Sequence, residues 1–189
     1  MIRKFFLLPP LIFLLTFQSS YSQDAWGLFI APQLGVRFPS GDSFEKHKAG
    51  FNIGGSVQYA TSAFPFFLKT EFLYSHFPQN KLVENAYHQK SIYGISVGAE
   101  YLFFPIFASE AILVPFISFD IRYNFIERTR TEYLAKLQTS TLYERKFGFS
   151  FGAGVSIFLV DIVAKYYYLT YEPYVGFDFR LRLPVYISL

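Results

Sequence analysis

Between Tyr143 and Leu159 the chain sorts its side chains by position parity. Tyr143, Arg145, Phe147, Phe149, Phe151, Ala153, Val155, Ile157 and Leu159 form one set; Glu144, Lys146, Gly148, Ser150, Gly152, Gly154, Ser156 and Phe158 form the other. From Phe147 onward the first set is wholly apolar and the second almost wholly small. A strict period of two serves no helix. It serves a strand, whose successive side chains point to opposite faces. The stretch is also long for a strand of a water-soluble domain, where about five or six residues are usual. The pattern predicts a tilted strand with a bulky face turned to lipid and a slender face turned into a narrow barrel.

The same alternation recurs along the chain. It predicts strands at about Trp26 to Phe38, Phe51 to Tyr59, Phe66 to His76, Ser91 to Phe103, Ile112 to Phe125, Ile162 to Tyr171, and from Tyr174 to the terminus. With the first stretch these make an all-β, eight-stranded antiparallel up-and-down transmembrane β-barrel. Most reach the roughly 9–11 residues that a tilted membrane strand requires. Pro32 cannot donate to a ladder, so a bulge or a locally broken pair is expected there. Val160-Asp161 and Glu172-Pro173 read as tight turns. Long connections at 39–50, 78–90 and 127–142 alternate with short ones. Outer-membrane barrels have short periplasmic turns and longer external loops, which predicts both termini in the periplasm.

Periodicity alone does not say which face is inside, because a soluble barrel alternates too. The residues on the polar face decide. A water-facing sheet would be rich in Lys, Glu and Thr; here that face is Gly, Ser, Ala and Asn with a few charges of both signs. Small residues suit an eight-stranded barrel, whose interior is just wide enough for side chains. Lys69, Glu71, Glu100, Asp120, Arg122, Glu144, Lys146, Lys165, Asp178, Arg180 and Arg182 all fall on one parity of their strands. In lipid near the midplane an Arg or Lys costs about 2–4 kcal/mol. In the lumen the charges can pair, and a buried charge left alone is costly. A lumen charge network is therefore expected from these eleven positions. Composition agrees: aromatic residues make up 22% of the chain and charged residues only 16%, against about 25% charged in an ordinary soluble domain.

Residues 1–22, MIRKFFLLPPLIFLLTFQSSYS, read as a signal peptide. Arg3 and Lys4 form the charged start, Phe5 to Phe17 the apolar run, and Ser20 and Ser22 the small residues before a cleavage near Gln23. Pro9-Pro10 interrupts the run, which is short of the roughly 20 apolar residues a spanning helix needs. The barrel domain is then 23–189. The formal charge of +3 includes both leader cations, so the remaining chain is nearly balanced and carries no electrostatic footprint for nucleic acid. The absence of Cys excludes disulfides, thiolate metal sites and catalytic thiols.

On this strand pattern, and on the closing stretch GFDFRLRLPVYISL, the chain resembles the small eight-stranded outer-membrane proteins of the OmpX/OmpA-barrel type. It also resembles the PorT-like outer-membrane β-barrel group linked to type IX secretion. The resemblance implies recognition of the C-terminal strand by the barrel-assembly machinery, although this strand closes on Leu189 and contains Pro184 where an aromatic end is usual. It carries over no functional residue.

Candidate chemistry is sparse. The histidines are His47, His76 and His88, and no two share a metal-ligand spacing. Some eight-stranded barrels are lipid A-modifying enzymes with a Ser and a His near the rim, which singles out Ser75-His76. Adjacent strand residues point to opposite faces, so the two cannot form a nucleophile–base pair. Tyr166, Tyr167, Tyr168, Tyr171 and Tyr174 read as an interfacial girdle. The expectation is a protein with no catalytic, cofactor or metal site. Its lumen is filled by side chains, outer-membrane lipid surrounds it, and its external loops contact other proteins in a secretion or envelope assembly. One alternative is a narrow conduit for small or hydrophobic solutes, marked by a gap in the charge network or an opening near Pro32. The other is a lipid A-modifying hydrolase.

Overall fold

The computed structural model describes residues 26–41, 47–61, 66–78, 89–103, 113–132, 138–170 and 172–188. The expected signal peptide at 1–22, Leu189, His88 and parts of the three long connections lie outside these residues. The strands are β1 (Trp26–Pro39), β2 (Gly50–Thr61), β3 (Phe66–Pro78), β4 (Gln89–Leu102), β5 (Val114–Glu132), β6 (Gln138–Ile157), β7 (Val160–Leu169), β8 (Tyr174–Leu181) and β9 (Leu183–Ser188). From β1 to β8 each pairs antiparallel with the next, and β1 pairs also with β8 and β9, so the sheet closes on itself. With β8 and β9 taken as two segments of one final strand, this is an eight-stranded antiparallel up-and-down barrel. Closure leaves no sheet edge within the wall. Below, the terminal end is where β1 begins and β9 finishes; the loop end is the opposite one.

Within the wall, β1 to β8 alternate buried and exposed positions, whereas Leu183 to Ile187 of β9 are all exposed. β7 alternates without a break from Asp161 to Leu169. Ile53, Val97, Phe119, Ile121, Phe151, Ile162 and Phe179 stand on the outside, and Lys69, Glu71, Glu100, Asp120, Arg122 and Lys165 on the inside. The usual arrangement is largely inverted: bulky apolar groups coat the exterior, and most of the charges lie in the core beside a smaller apolar cluster. Water does not tolerate an apolar surface of this extent on a monomer, whereas hydrocarbon requires it. Inside, glycines make room for the long side chains. A Cβ on Gly176 would lie 2.2 Å from Arg37 Nη1.

Three local readings of the sequence are corrected. The stretch 127–142, expected as the longest loop, is largely strand: β5 and β6 stay in register out to Glu132↔Gln138. Residues 127–132 and 138–141 are all polar in sequence, so no apolar alternation marks them, but a cross-strand pair such as Thr129↔Thr141 suits a sheet. The expected turn at Val160-Asp161 lies two residues earlier, at Phe158-Leu159, and Asp161 is a buried member of β7. The final strand is not continuous but breaks at Arg182. The locally broken pair expected at Pro32 is present on one side of the strand, while β1 pairs with β2 straight through Pro32↔Gly55. On the broken side, β8 pairing ends at Gln33↔Arg180 and β9 pairing begins at Ile30↔Leu183. Across that gap the Arg182 N–H turns away and donates to Leu159 O, 2.6 Å.

Candidate functional site

Inward-facing side chains fill the lumen in successive levels. At the terminal end, Arg180 forks onto Glu100 (Nη1–Oε1 2.5 Å, Nη2–Oε2 2.9 Å) and sends Nε to Asp161, 2.8 Å. Arg182 Nη2 reaches the same two carboxylates at 2.9 and 3.2 Å. Lys69 joins this level to the next, donating to Glu100 at 2.9 Å and lying 3.0 Å from Asp120. In the middle, Glu71 accepts from Lys165 at 2.7 Å and from Arg122 at 2.8 Å, while Ser150 donates to Asp120 at 3.0 Å. Next comes a fork of Arg37 on Asp178 at 2.7 and 3.0 Å. The Tyr167 ring beside it lies 4.7 Å from the Arg37 guanidinium and 4.8 Å from that of Arg122. Paired geometry of this kind offsets the desolvation of charges that no water reaches.

Above the charges lies an apolar level. Leu73, Phe77, Ile92, Ile126, Tyr167, Leu169 and Tyr174 form a buried cluster inside the barrel, with Tyr167 stacked on Tyr174 at 4.5 Å between centroids. The loop-end rim closes over it with a second ionic group. Glu172, on the β7–β8 turn, accepts from Lys90 at 2.5 Å and from Arg128, and Lys146 lies 3.7 Å away. Glu144 approaches Lys146 at 3.2 Å and Arg128 at 3.3 Å. Burial pushes the Glu172 carboxyl up, but Lys90 and Arg128 outweigh it and hold it down at about 2. One turn is thus tied to β4, β5 and β6 across the mouth.

Of the eleven sequence-selected charges, Lys69, Glu71, Glu100, Asp120, Arg122, Lys165, Asp178, Arg180 and Arg182 meet along the lumen. Glu144 and Lys146 do not join them and belong to the rim group. Sequence reasoning missed Arg37 and Asp161 as network members, although Arg37 already shares the parity of Gly35 and Gln33. It also missed Lys90, Arg128 and Glu172, which lay in or beside expected loops. The apolar level carried no signal of its own: Leu73, Ile92, Ile126 and Leu169 are apolar residues on the polar parity, and only register reveals that they converge.

The Ser75-His76 pair divides between faces. Ser75 is buried inside. The His76 ring lies outside against Phe51, 5.6 Å between centroids, and its Nδ1 is 3.2 Å from Ser91 Oγ on β4. The Tyr74 hydroxyl shares that oxygen at 3.3 Å. A catalytic serine needs its base oriented by a third group and donors aimed at the developing oxyanion. Around Ser91 stand the Tyr74 hydroxyl and, directly across on β5, Glu127, all on the outer face beside the Phe51 and Tyr93 rings, so the contact reads as polar pairing within an aromatic rim. No group of three or more metal-ligating side chains occurs among the described residues.

Beyond the rim, β5 and β6 continue as a hairpin. β7 pairs with β6 only from Gly148↔Leu169 toward the terminal end. From Gln138 to Phe147, β6 therefore has no partner on that side among the described residues. Tyr143 and Phe147 stand along this free edge at 74% and 69% exposure.

No protein-family profile and no curated protein matches the sequence. Solved structures do match the fold. The crystal structure of Neisserial surface protein A superposes with a TM-score of 0.61 at 16% identity, covering 85% of this chain and 99% of that one. The attachment invasion locus protein Ail of Yersinia pestis superposes with a TM-score of 0.52 at 12% identity, covering 86% and 99%. At these identities the likeness is one of architecture: the chain has the fold of the small eight-stranded outer-membrane barrels.

Proposed function

We propose that the chain is an integral outer-membrane barrel with a closed lumen, both termini in the periplasm, and a loop end that contacts other macromolecules outside the cell. The observation that carries this reading is the free edge of β6 from Gln138 to Phe147. A strand edge presents unpaired N–H and C=O groups and is a template for another chain. Within the barrel every edge is closed; here one is held out past the wall, with exposed aromatics beside it. Lipid surrounds the wall, and the assembly machinery is the expected partner of the C-terminal strand. A place in a secretion or envelope assembly is the wider process that fits such an edge. A conduit is disfavoured, because charged and apolar levels block the lumen in series. An enzymatic role is disfavoured, because the Ser91–His76 contact lies on the outer face of the wall against Phe51 and Tyr74 rather than in an enclosed site.

The test is a shortened hairpin. Residues 130–140 are replaced by a two-residue Asn-Gly turn, and the intact barrel is compared with this variant for capture of labelled host or neighbouring-cell surface proteins by whole cells. Loss of capture with normal outer-membrane levels supports the reading; undiminished capture sinks it. Replacing His76 or Ser91 with Ala should leave lipid A composition unchanged.

A further inference from the structure

The β6–β7 turn at the terminal end is built against ordinary turn chemistry. It is a two-residue hairpin loop, Phe158-Leu159, closed by the pair Ile157↔Val160. Phe158 has φ = 54°. That is the left-handed region, where such loops place Gly, Asn or Asp and where a bulky residue is a conformational outlier. A turn in water would carry polar residues there. Instead Phe158 is 83% exposed and Leu159 46%. No charged residue occurs from Phe147 to Val160, nor from Leu183 to Leu189. β9, joined to the turn by the bond from Arg182 N to Leu159 O, adds exposed Leu183, Val185, Tyr186 and Ile187.

Height explains the arrangement. On the outside of β7, exposed Tyr166 and Tyr168 mark the aromatic boundary at the loop end. From Tyr168 to Val160 a tilted strand descends only about 20 Å. The apolar band of an outer-membrane barrel is about 25 Å tall. On this flank the wall is too short to cross the hydrocarbon by itself. The band is completed only if the turn lies within it.

We propose that the Phe158-Leu159 turn is a lipid-inserted keel: its side chains sit among acyl chains of the leaflet at the terminal end, rather than in the aqueous space below it. The turn is continuous with the lipid-facing wall, uncharged, and apolar at both central positions. This accounts for a Phe where the backbone favours Gly, since Gly would leave the band unfilled. The inference goes beyond the proposed function and needs only that the wall faces lipid.

The experiment places single tryptophans in the mature chain on a Trp26→Phe background, reconstituted in protein-free phosphatidylcholine bilayers. Phe158→Trp and Leu159→Trp are compared with Val97→Trp, whose parent residue is 63% exposed on the mid-wall. The expected result is blue-shifted emission at 158 and 159, quenching by acyl-chain-brominated lipid, and protection from aqueous iodide. Red-shifted emission with iodide quenching at both turn positions, while position 97 is quenched by bromolipid, overturns the keel and leaves the patch to a protein partner. Failure of position 97 itself to meet bromolipid would instead sink the membrane reading. Should Phe158→Trp not fold, by loss of heat-modifiable migration, Leu159→Trp decides alone.

Discussion

Glu71, like Glu100, draws three lumen cations. Arg122, Lys165 and, at 3.8 Å, Lys69 all face its carboxylate, and none of the four is exposed to solvent. Glu71→Gln keeps the shape and removes the charge, leaving cations that neither water nor another carboxylate can fully compensate. Breaking one partner of a buried ionic group costs about 3–5 kcal/mol, and that loss is expected in urea unfolding of the lipid-reconstituted barrel. Glu172 makes the complementary case at the rim. Its folded pKa of about 2 lies below the unfolded value of about 4.3. A depressed carboxylate contributes stability that is complete above the unfolded value and is lost as pH falls toward the folded one. Wild type should therefore exceed Glu172→Gln by about 1–2 kcal/mol at pH 7, after allowance for its partial exposure. The gap should close between about pH 4.5 and 2. Thermal melts of both proteins across that range check it; a constant gap removes Glu172 as the latch.

At the scale of elements, what was legible depended on whether a strand had one apolar face. β4, β6 near Phe149 and β7 near Ile162 alternate cleanly and were placed to within a few residues. The outer part of the β5–β6 hairpin was not, because Glu127 to Glu132 and Gln138 to Leu142 have no apolar side to reveal a period of two. There the ladder runs on in register without an apolar face to announce it. The same reasoning explains Asp161, whose charge suggested a turn although its partners Arg180 and Arg182 lie far along the chain. Charge pairing across strands follows register, and register shifts by a single residue invert every face. The hairpin's construction predicts its dynamics. With few buried apolar contacts and solvent on both faces, its outer part should open far below the global unfolding free energy. Amides of Arg130 to Glu132 and Ser140 to Tyr143 should exchange within minutes by hydrogen–deuterium mass spectrometry. Those of Ser150 to Gly154, paired on both sides, should stay protected for hours or longer. Equal protection of both segments would show the hairpin is docked on something.

For the whole molecule, the proposed closed lumen rests on side-chain levels that follow one another in series. An ion entering from the loop end meets the Glu172 group, then the apolar cluster around Phe77 and Tyr174, then the Arg37–Asp178 fork, and then the ionic levels around Glu71 and Glu100. Series resistances are governed by the tightest member, so removing one level should not open the path. The wild-type barrel is expected to show no steady single-channel conductance in planar bilayers. A double variant, Phe77→Ala with Tyr174→Ala, should also stay closed, since the charge levels beneath remain paired. It should nonetheless be destabilised by several kcal/mol, in the range of large-to-small core substitutions at about 3–5 kcal/mol each. Glu71→Gln added to that double variant attacks two levels at once, and is the first combination in which intermittent conductance is expected. Steady conductance through the wild type would mean that the lumen levels move apart together, and the reading of the barrel as a closed support for its external hairpin would give way to that of a channel.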